Sequence, residues 1–127
     1  MVDILKRAPY TKALTEKSIH GDIMEIEQIL KEFRAGVESL YNERLKSIIL
    51  YGSWARDEAT GDSDIDLLVV LAGEVDPCKE IDRMADIFTD LNLEHNVLIA
   101  VYPVSESDFY NVDNPLLINV RREGITV

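Results

Sequence analysis

The chain is poor in cysteine, poor in basic residues over its second half, and free of long apolar runs. Its 127 residues include one cysteine, Cys78, so an internal disulfide is excluded and a cytoplasmic location is expected. No stretch reaches the roughly 18 consecutive apolar residues of a membrane span, and no apolar stretch follows the first basic residues, which argues against a signal peptide. We therefore expect one domain over residues 1–127, with residues 1–21 as an N-terminal extension whose structure the sequence does not indicate.

The net charge of −11 arises in the second half of the chain. Residues 1–51 balance eight basic with eight acidic side chains, whereas residues 52–127 carry five basic and sixteen acidic ones. Such a surface repels nucleic acid and attracts basic partners. Direct binding of nucleic acid is therefore not expected, although many of these acids are typical of solvated helix surfaces.

Periodicity and turn residues predict a mixed α/β (α+β) fold, a small mixed β-sheet with helices packed against it. Apolar residues three and four apart predict an amphipathic helix from Asp22, in a capping-box-like start, to about Asn42. Its apolar stripe is expected to pack on the sheet; the alternative is pairing with a second copy, which would make a homo-oligomer. Strands are predicted over 45–51, 64–71 and 96–104, further helices begin near Pro77 and Pro115, and a turn or short helix covers 105–110.

Residues 51–70 contain two motifs that suit phosphate chemistry. Gly52 follows a predicted buried strand and allows the backbone to turn sharply and to approach a ligand. Ser53 is expected to cap a short helix whose free N–H groups suit a phosphate. Arg56 is a candidate contact for the triphosphate. An exposed ion pair with Asp57 or another nearby acid is an equally supported role for this residue.

Asp64 and Asp66 begin the strand that follows. Residues two apart on a strand share a face, so the two carboxylates are expected to project together. Ionised carboxylates ~4 Å apart repel by roughly 4 kcal/mol at an effective dielectric of ~20, and Mg²⁺ held by both carboxylates and by substrate phosphates removes that repulsion. Asp64 and Asp66 are therefore candidate metal ligands and catalytic residues for nucleotidyl transfer. The alternative is an acidic turn before a strand.

The spacing of Gly52-Ser53, ten further residues and Asp64-x-Asp66 resembles the signature of the polymerase-beta-like nucleotidyltransferase superfamily. Gly-Ser-Trp-Ala-Arg, Ser-Asp-Ile-Asp-Leu-Leu-Val and residues 115–125 are most similar to its minimal nucleotidyltransferase branch. The resemblance implies the nucleotidyltransferase fold, and transfer of AMP from ATP, with Mg²⁺, to a protein hydroxyl. It also implies a partner, because small members of this branch are often antitoxins of HEPN-domain ribonuclease toxins. Some of these antitoxins act by AMP transfer and others by binding.

One position departs from the family pattern. Family members usually carry a third carboxylate on a later strand, and the corresponding residue here is Asn96. An amide is a weaker metal ligand and cannot act as a base; Glu94, with the same strand parity, is the candidate substitute. Two functions therefore stay open, an AMP-transferring enzyme and a nucleotide-binding antitoxin that neutralises its partner by contact alone. A small-molecule transferase of the aminoglycoside type is a third, disfavoured because no second domain is evident to hold such a substrate.

Overall fold

A computed structural model describes residues 20–127, with side chains from residue 24 onward, so most of the predicted N-terminal extension lies outside the described residues. Its centre is a four-stranded mixed sheet. The strands are β1 (Leu45–Tyr51), β2 (Ile65–Leu71), β3 (Ile99–Ser105) and β4 (Ile125–Thr126), in the order β3-β2-β1-β4. β1 is antiparallel to β2 and β4, and β2 is parallel to β3. The predicted mixed sheet is confirmed, with β4 as an additional strand.

The helices of the described chain are α1 (His20–Tyr41), α2 (Pro77–His95), α3 (Glu106–Asn111) and α4 (Pro115–Glu123). The starts of α2 and α4 are confirmed, since Asp76 Oδ1 accepts from the Lys79 N–H at 3.5 Å and Asn114 Oδ1 from the Leu117 N–H at 2.8 Å. The predicted start of α1 is wrong, because that helix already includes His20 and Asp22 is not its N-cap. No helix within residues 20–127 has both the length and the hydropathy to cross a bilayer.

α1 and α2 cover one face of the sheet. Burying a large apolar side chain stabilises a fold by roughly 1.5–3 kcal/mol, so this cluster is a principal source of stability. The predicted packing of the α1 stripe on a sheet is confirmed. The buried residues include Ile26, Leu30, Phe33 and Val37 of α1, Met84 and Leu91 of α2, and Ile48, Leu50, Leu67 and Val69 of the strands.

α3 and α4 cover part of the opposite face. Because side chains alternate along a strand, Asp66 lies on this face with Leu68 and Val70. Ala100 and Tyr102, next to them on β3, are exposed. The uncovered end of this face therefore presents Asp66 to solvent. The apolar cluster at the covered end contains Ile49, Leu68, Val70, Val104, Phe109, Leu117 and Val120.

The third strand begins later than predicted. Asn96 is the left-handed cap at the end of α2, with φ 52°, and β3 begins at Ile99. Asparagine tolerates this conformation better than most residues, so it ends helices well. Glu94 belongs to the last turn of α2. The prediction that Glu94 and Asn96 share a strand face is therefore wrong.

Candidate active site

Strand register brings Gly52 against the Asp66 carboxylate. β1 and β2 pair Tyr51 with Asp66, so the chain leaves β1 beside that carboxylate. A Cβ added to Gly52 would overlap Asp66 Oδ2, and the φ of Gly52 is +75°. Only glycine satisfies both conditions without strain. The Gly-Ser turn and the Asp66 carboxylate consequently form one continuous surface.

The chain continues into a short 3₁₀ turn, Gly52–Trp54, in which the Gly52 carbonyl accepts from the Ala55 and Arg56 N–H groups at 3.1 Å each. The N-cap is Tyr51, which makes no side-chain capping bond. The predicted capping role of Ser53 is therefore wrong, because Ser53 lies inside the turn. The first N–H groups of such a turn have no partner within it and point towards its open end, where an anion can accept from them.

Trp54 anchors the loop that links this turn to β2. Its side chain is 7% exposed and packs in the core beneath α1. Its indole N–H donates to the Ser63 carbonyl at 3.4 Å, and Ser63 Oγ accepts from the Thr60 N–H at 2.9 Å. Because Asp64 directly follows Ser63, these contacts fix the backbone from which Asp64 projects.

Asp64 and Asp66 differ in exposure, and the charge of Asp64 acts on the Asp66 carboxylate. Asp64 is exposed just before β2, whereas Asp66 is half-buried within it. Burial raises the pKa of Asp66, and the neighbouring Asp64 carboxylate raises it further, while Arg56 lowers it. Burial, followed by the charge of Asp66, also raises the pKa of Tyr51 to about 12. Two neighbouring oxygen-donor carboxylates, of which Asp64 raises the pKa of Asp66, fit a hard divalent cation such as Mg²⁺.

Arg56 forms ion pairs at the edge of this surface. Its Nε lies 2.9 Å from Glu58 Oε1 and its Nη1 lies 3.3 Å from Glu123 Oε1. The structure therefore contains the ion pairs that were predicted as the alternative role of Arg56, and the acids are Glu58 and Glu123. Contact between Arg56 and a triphosphate stays a prediction.

Ala100 is the residue that β3 places beside Asp66. The parallel register pairs these two residues, and Ala100 is exposed. β3, Ile99–Ser105, contains no acidic residue at all. Ala100 was not among the predicted site residues, because the predicted strand begins three residues early, at Asn96 instead of Ile99.

The two residues considered for a third carboxylate lie elsewhere. Asn96 lines a depression of about 300 Å³ together with Asp62, Ser63 and Asp64, on the loop side of Asp64. Glu94 Oε2 lies 2.9 Å from His95 Nε2 at the end of α2. Only Asn96 is therefore brought near one of the two aspartates.

Known proteins resemble this chain in sequence and in fold. The model of the nucleotidyltransferase domain family matches residues 23–118. The chain belongs to this family. A candidate protein adenylyltransferase of Methanocaldococcus jannaschii is 42% identical over 86 residues, which cover 68% of this chain and 80% of that protein. A second candidate protein adenylyltransferase of that organism is 34% identical over 77 residues, which cover 61% and 77% of the two chains.

Solved structures share the fold at low identity. A candidate nucleotidyltransferase from Sulfolobus solfataricus superposes with a TM-score of 0.52 at 16% identity, over 80% of this chain and 84% of that one. A mutant of the toxin–antitoxin MntA-HpeT superposes with a TM-score of 0.51 at 17% identity, over 79% of this chain and 69% of that one. A toxin–antitoxin with AMP-PNP superposes with a TM-score of 0.53 at 17% identity, over 74% of this chain and 68% of that one. The predicted nucleotidyltransferase fold is confirmed.

Gly52→Ala and Gly73→Ala form a matched pair that tests the close approach of Gly52 to Asp66. Both glycines have positive φ, +75° and +79°, but a Cβ on Gly73 meets nothing within 4 Å. Gly73→Ala should cost roughly 1–2 kcal/mol, the strain of the left-handed region. Gly52→Ala should cost more, because the Asp66 carboxylate must also move. Urea denaturation measures the free energy of unfolding of both variants. Equal losses of stability would contradict the close approach of Gly52 to Asp66.

The raised pKa of Asp66 predicts a pH dependence of stability in the metal-free protein. The folded-state pKa lies above the usual 3.8, so the folded state holds more protons between the two values and stability falls as pH rises through that window. Asp66→Asn removes this loss. Its melting temperature should exceed that of the native chain at pH 7 and approach it near pH 3. Asp62→Asn, which removes an exposed loop charge, is the control; a native-like Asp66→Asn at pH 7 would contradict the effect.

Proposed function

We propose that this protein is a Mg²⁺-dependent nucleotidyltransferase that transfers AMP from ATP to a hydroxyl group of a partner protein. The observation that carries the proposal is the contact between Gly52 and the Asp66 carboxylate, which brings the candidate phosphate-binding turn against one of the two candidate metal ligands. The relatives described as candidate protein adenylyltransferases support a protein acceptor. Asp64 and Asp66 would hold Mg²⁺, which neutralises charge on the triphosphate when bound.

The turn supplies the other phosphate contacts. The backbone N–H groups at the start of the Gly52–Trp54 turn donate to phosphate oxygens. Arg56 exchanges Glu58 and Glu123 for the triphosphate, and exposed ion pairs stabilise so little that this exchange is easy. The acceptor hydroxyl oxygen then bonds to the α-phosphorus, the bond from that phosphorus to the bridging oxygen breaks, and pyrophosphate leaves. The hydroxyl proton passes to solvent.

We further propose that the acceptor is a toxin of the HEPN ribonuclease type and that the chain is its antitoxin. Two structural neighbours are toxin–antitoxin proteins, and one of these was solved with AMP-PNP. The net charge of −11, which arises in residues 52–127, favours a basic partner. A reaction that consumes ATP suits the cytoplasm.

Neutralisation by binding alone is the second candidate function, and Ala100 is the observation that favours it. Asp66 has this alanine as its neighbour on β3, where a carboxylate would complete a three-acid site. Without that carboxylate the site has one metal ligand fewer and lacks a base beside the acceptor hydroxyl. Nucleotide binding needs neither, so it is compatible with both functions.

The metal assignment predicts a specific change in ligand-dependent stability. ATP with Mg²⁺ should raise the melting temperature of the native chain by more than ATP with EDTA, because binding to the folded state stabilises it. Asp64→Asn combined with Asp66→Asn should abolish the Mg²⁺-dependent part. Asp82→Asn with Asp86→Asn removes two exposed charges from α2 and should leave it intact. A Mg²⁺-dependent shift that survives in the Asp64/Asp66 variant would place the metal elsewhere.

Ala100→Asp tests which of the two functions the native site performs. The chain is incubated with its candidate toxin partner, Mg²⁺ and ATP labelled at the α-phosphate, and label on the toxin is measured. We expect weak transfer by the native chain and a gain of at least about tenfold with Ala100→Asp. This figure is conservative, because general-base catalysis typically contributes roughly 10²–10⁴-fold.

Asn96→Asp is the matched control for this experiment. It adds the same charge on the loop side of Asp64, away from the Asp66 register, and should give no gain. A gain with Asn96→Asp alone would contradict the assignment of the third position to Ala100. Strong transfer by the native chain, unchanged by Ala100→Asp, would show that two carboxylates suffice and would exclude neutralisation by binding alone.

A further inference from the structure

His95, in the last turn of α2, is surrounded by carboxylates from two helices. Its Nε2 lies 2.9 Å from Glu94 Oε2 and 3.3 Å from Glu32 Oε2, and its Nδ1 lies 3.5 Å from Glu25 Oε2. Glu25 and Glu32 belong to α1, whereas Glu94 is the neighbour of His95 on α2. The imidazole is only 13% exposed, so it is held between the helices instead of extending into solvent.

We propose that His95, Glu32 and Glu94 bind a divalent transition-metal ion of the zinc type. Their ligand atoms all lie within 4.8 Å of one another, the one such group of three or more among the side chains that the structure describes, from residue 24 onward. Metal–ligand bonds of about 2.0–2.2 Å place tetrahedral ligand atoms roughly 3.4 Å apart. The distance of 3.3 Å from Nε2 to Glu32 Oε2 is close to that value, and the distance of 2.9 Å to Glu94 Oε2 is shorter, so binding requires only small movements of these side chains.

The donor set selects the class of ion. An imidazole nitrogen suits Zn²⁺, Ni²⁺ and Cu²⁺, whereas Mg²⁺ and Ca²⁺ take oxygen ligands. The two carboxylates balance the charge of a divalent ion, and water completes the coordination. Glu25 faces the other ring nitrogen, Nδ1. A carboxylate there fixes the tautomer that leaves Nε2 free to bind metal, as in the carboxylate–histidine–zinc arrangement.

This ion would tie α1 to the end of α2. The next residue, Asn96, is the left-handed cap that turns the chain towards β3, and it lines the depression beside Asp64. The cluster therefore supports the end of α2 whose cap lines this depression on the loop side of Asp64, and it shares no ligand with Asp64 or Asp66. Its metal specificity is also different, which makes the two sites separable by experiment.

Zinc titration of the full chain in the Asp64→Asn/Asp66→Asn background tests the proposal, because that background removes the other acidic site. After treatment with EDTA and buffer exchange, calorimetry with ZnCl₂ should show one saturable equivalent, and MgCl₂ at the same concentration should not compete. His95→Gln and Glu32→Gln should each abolish saturable binding. Glu25→Gln should weaken it by roughly 10–100-fold, as expected for a residue that orients a ligand.

Three matched variants exclude other sources of zinc binding. His20→Gln removes the other histidine of the chain, Cys78→Ser removes its one thiol, and Glu38→Gln removes an exposed α1 carboxylate. Each should retain the saturable equivalent. Loss of binding in His20→Gln or Cys78→Ser, or saturable binding that survives His95→Gln, would overturn the proposal. Absence of saturable binding in the background chain, with its circular dichroism spectrum native-like, would show that the cluster is an ion-pair network only.

Discussion

The antiparallel pairing of Tyr51 with Asp66 is the constraint on which the candidate active site depends. It makes the Gly-Ser turn leave β1 where the Asp66 carboxylate stands, and it leaves no room for a side chain at Gly52. A slip of one residue would turn Asp66 towards the core beneath α1 and bury its charge among apolar side chains. The register is held by the alternation of β2, with Leu67 in one core and Leu68 in the other. Packing on both faces thus fixes the position of the Asp66 carboxylate.

The sequence predicted those parts of the molecule that depend on local chemistry. Strand β1, the helix starts at Asp76 and Asn114, and the sheet-packed stripe of α1 follow from periodicity and capping residues, and all are confirmed. The Gly-Ser and Asp-x-Asp motifs also led to the correct family, because a glycine turn and paired acids, each beside a strand, form a specific combination. The roles assigned to Asp64, Asp66 and Arg56 stay predictions.

The errors lie where tertiary contacts override a local pattern. Asn96 precedes an apolar run and was assigned to the strand, but its left-handed conformation ends α2, and Val97 and Leu98 form the connection. β4 is two residues long and exists because it pairs with β1. Gly124 makes that pairing possible, since a Cβ there would press on Ile49 and on the Val120 carbonyl. Neither the partner strand nor the close approach can be seen in a single sequence.

The strand register places Ala100 beside Asp66, and the proposed function depends on what this position supplies. Asp66 already ionises less readily because of burial and of Asp64, and a third acid on β3 would increase that repulsion whenever metal is absent. An alanine at this position avoids this repulsion, so the metal-free protein is expected to be more stable at neutral pH than a variant with an aspartate there. An alanine at this position also supplies neither a metal ligand nor a general base. In the proposed function, nucleotide binding needs neither of these groups, whereas transfer benefits from both, so the balance that we propose between catalysis and simple binding depends on Ala100.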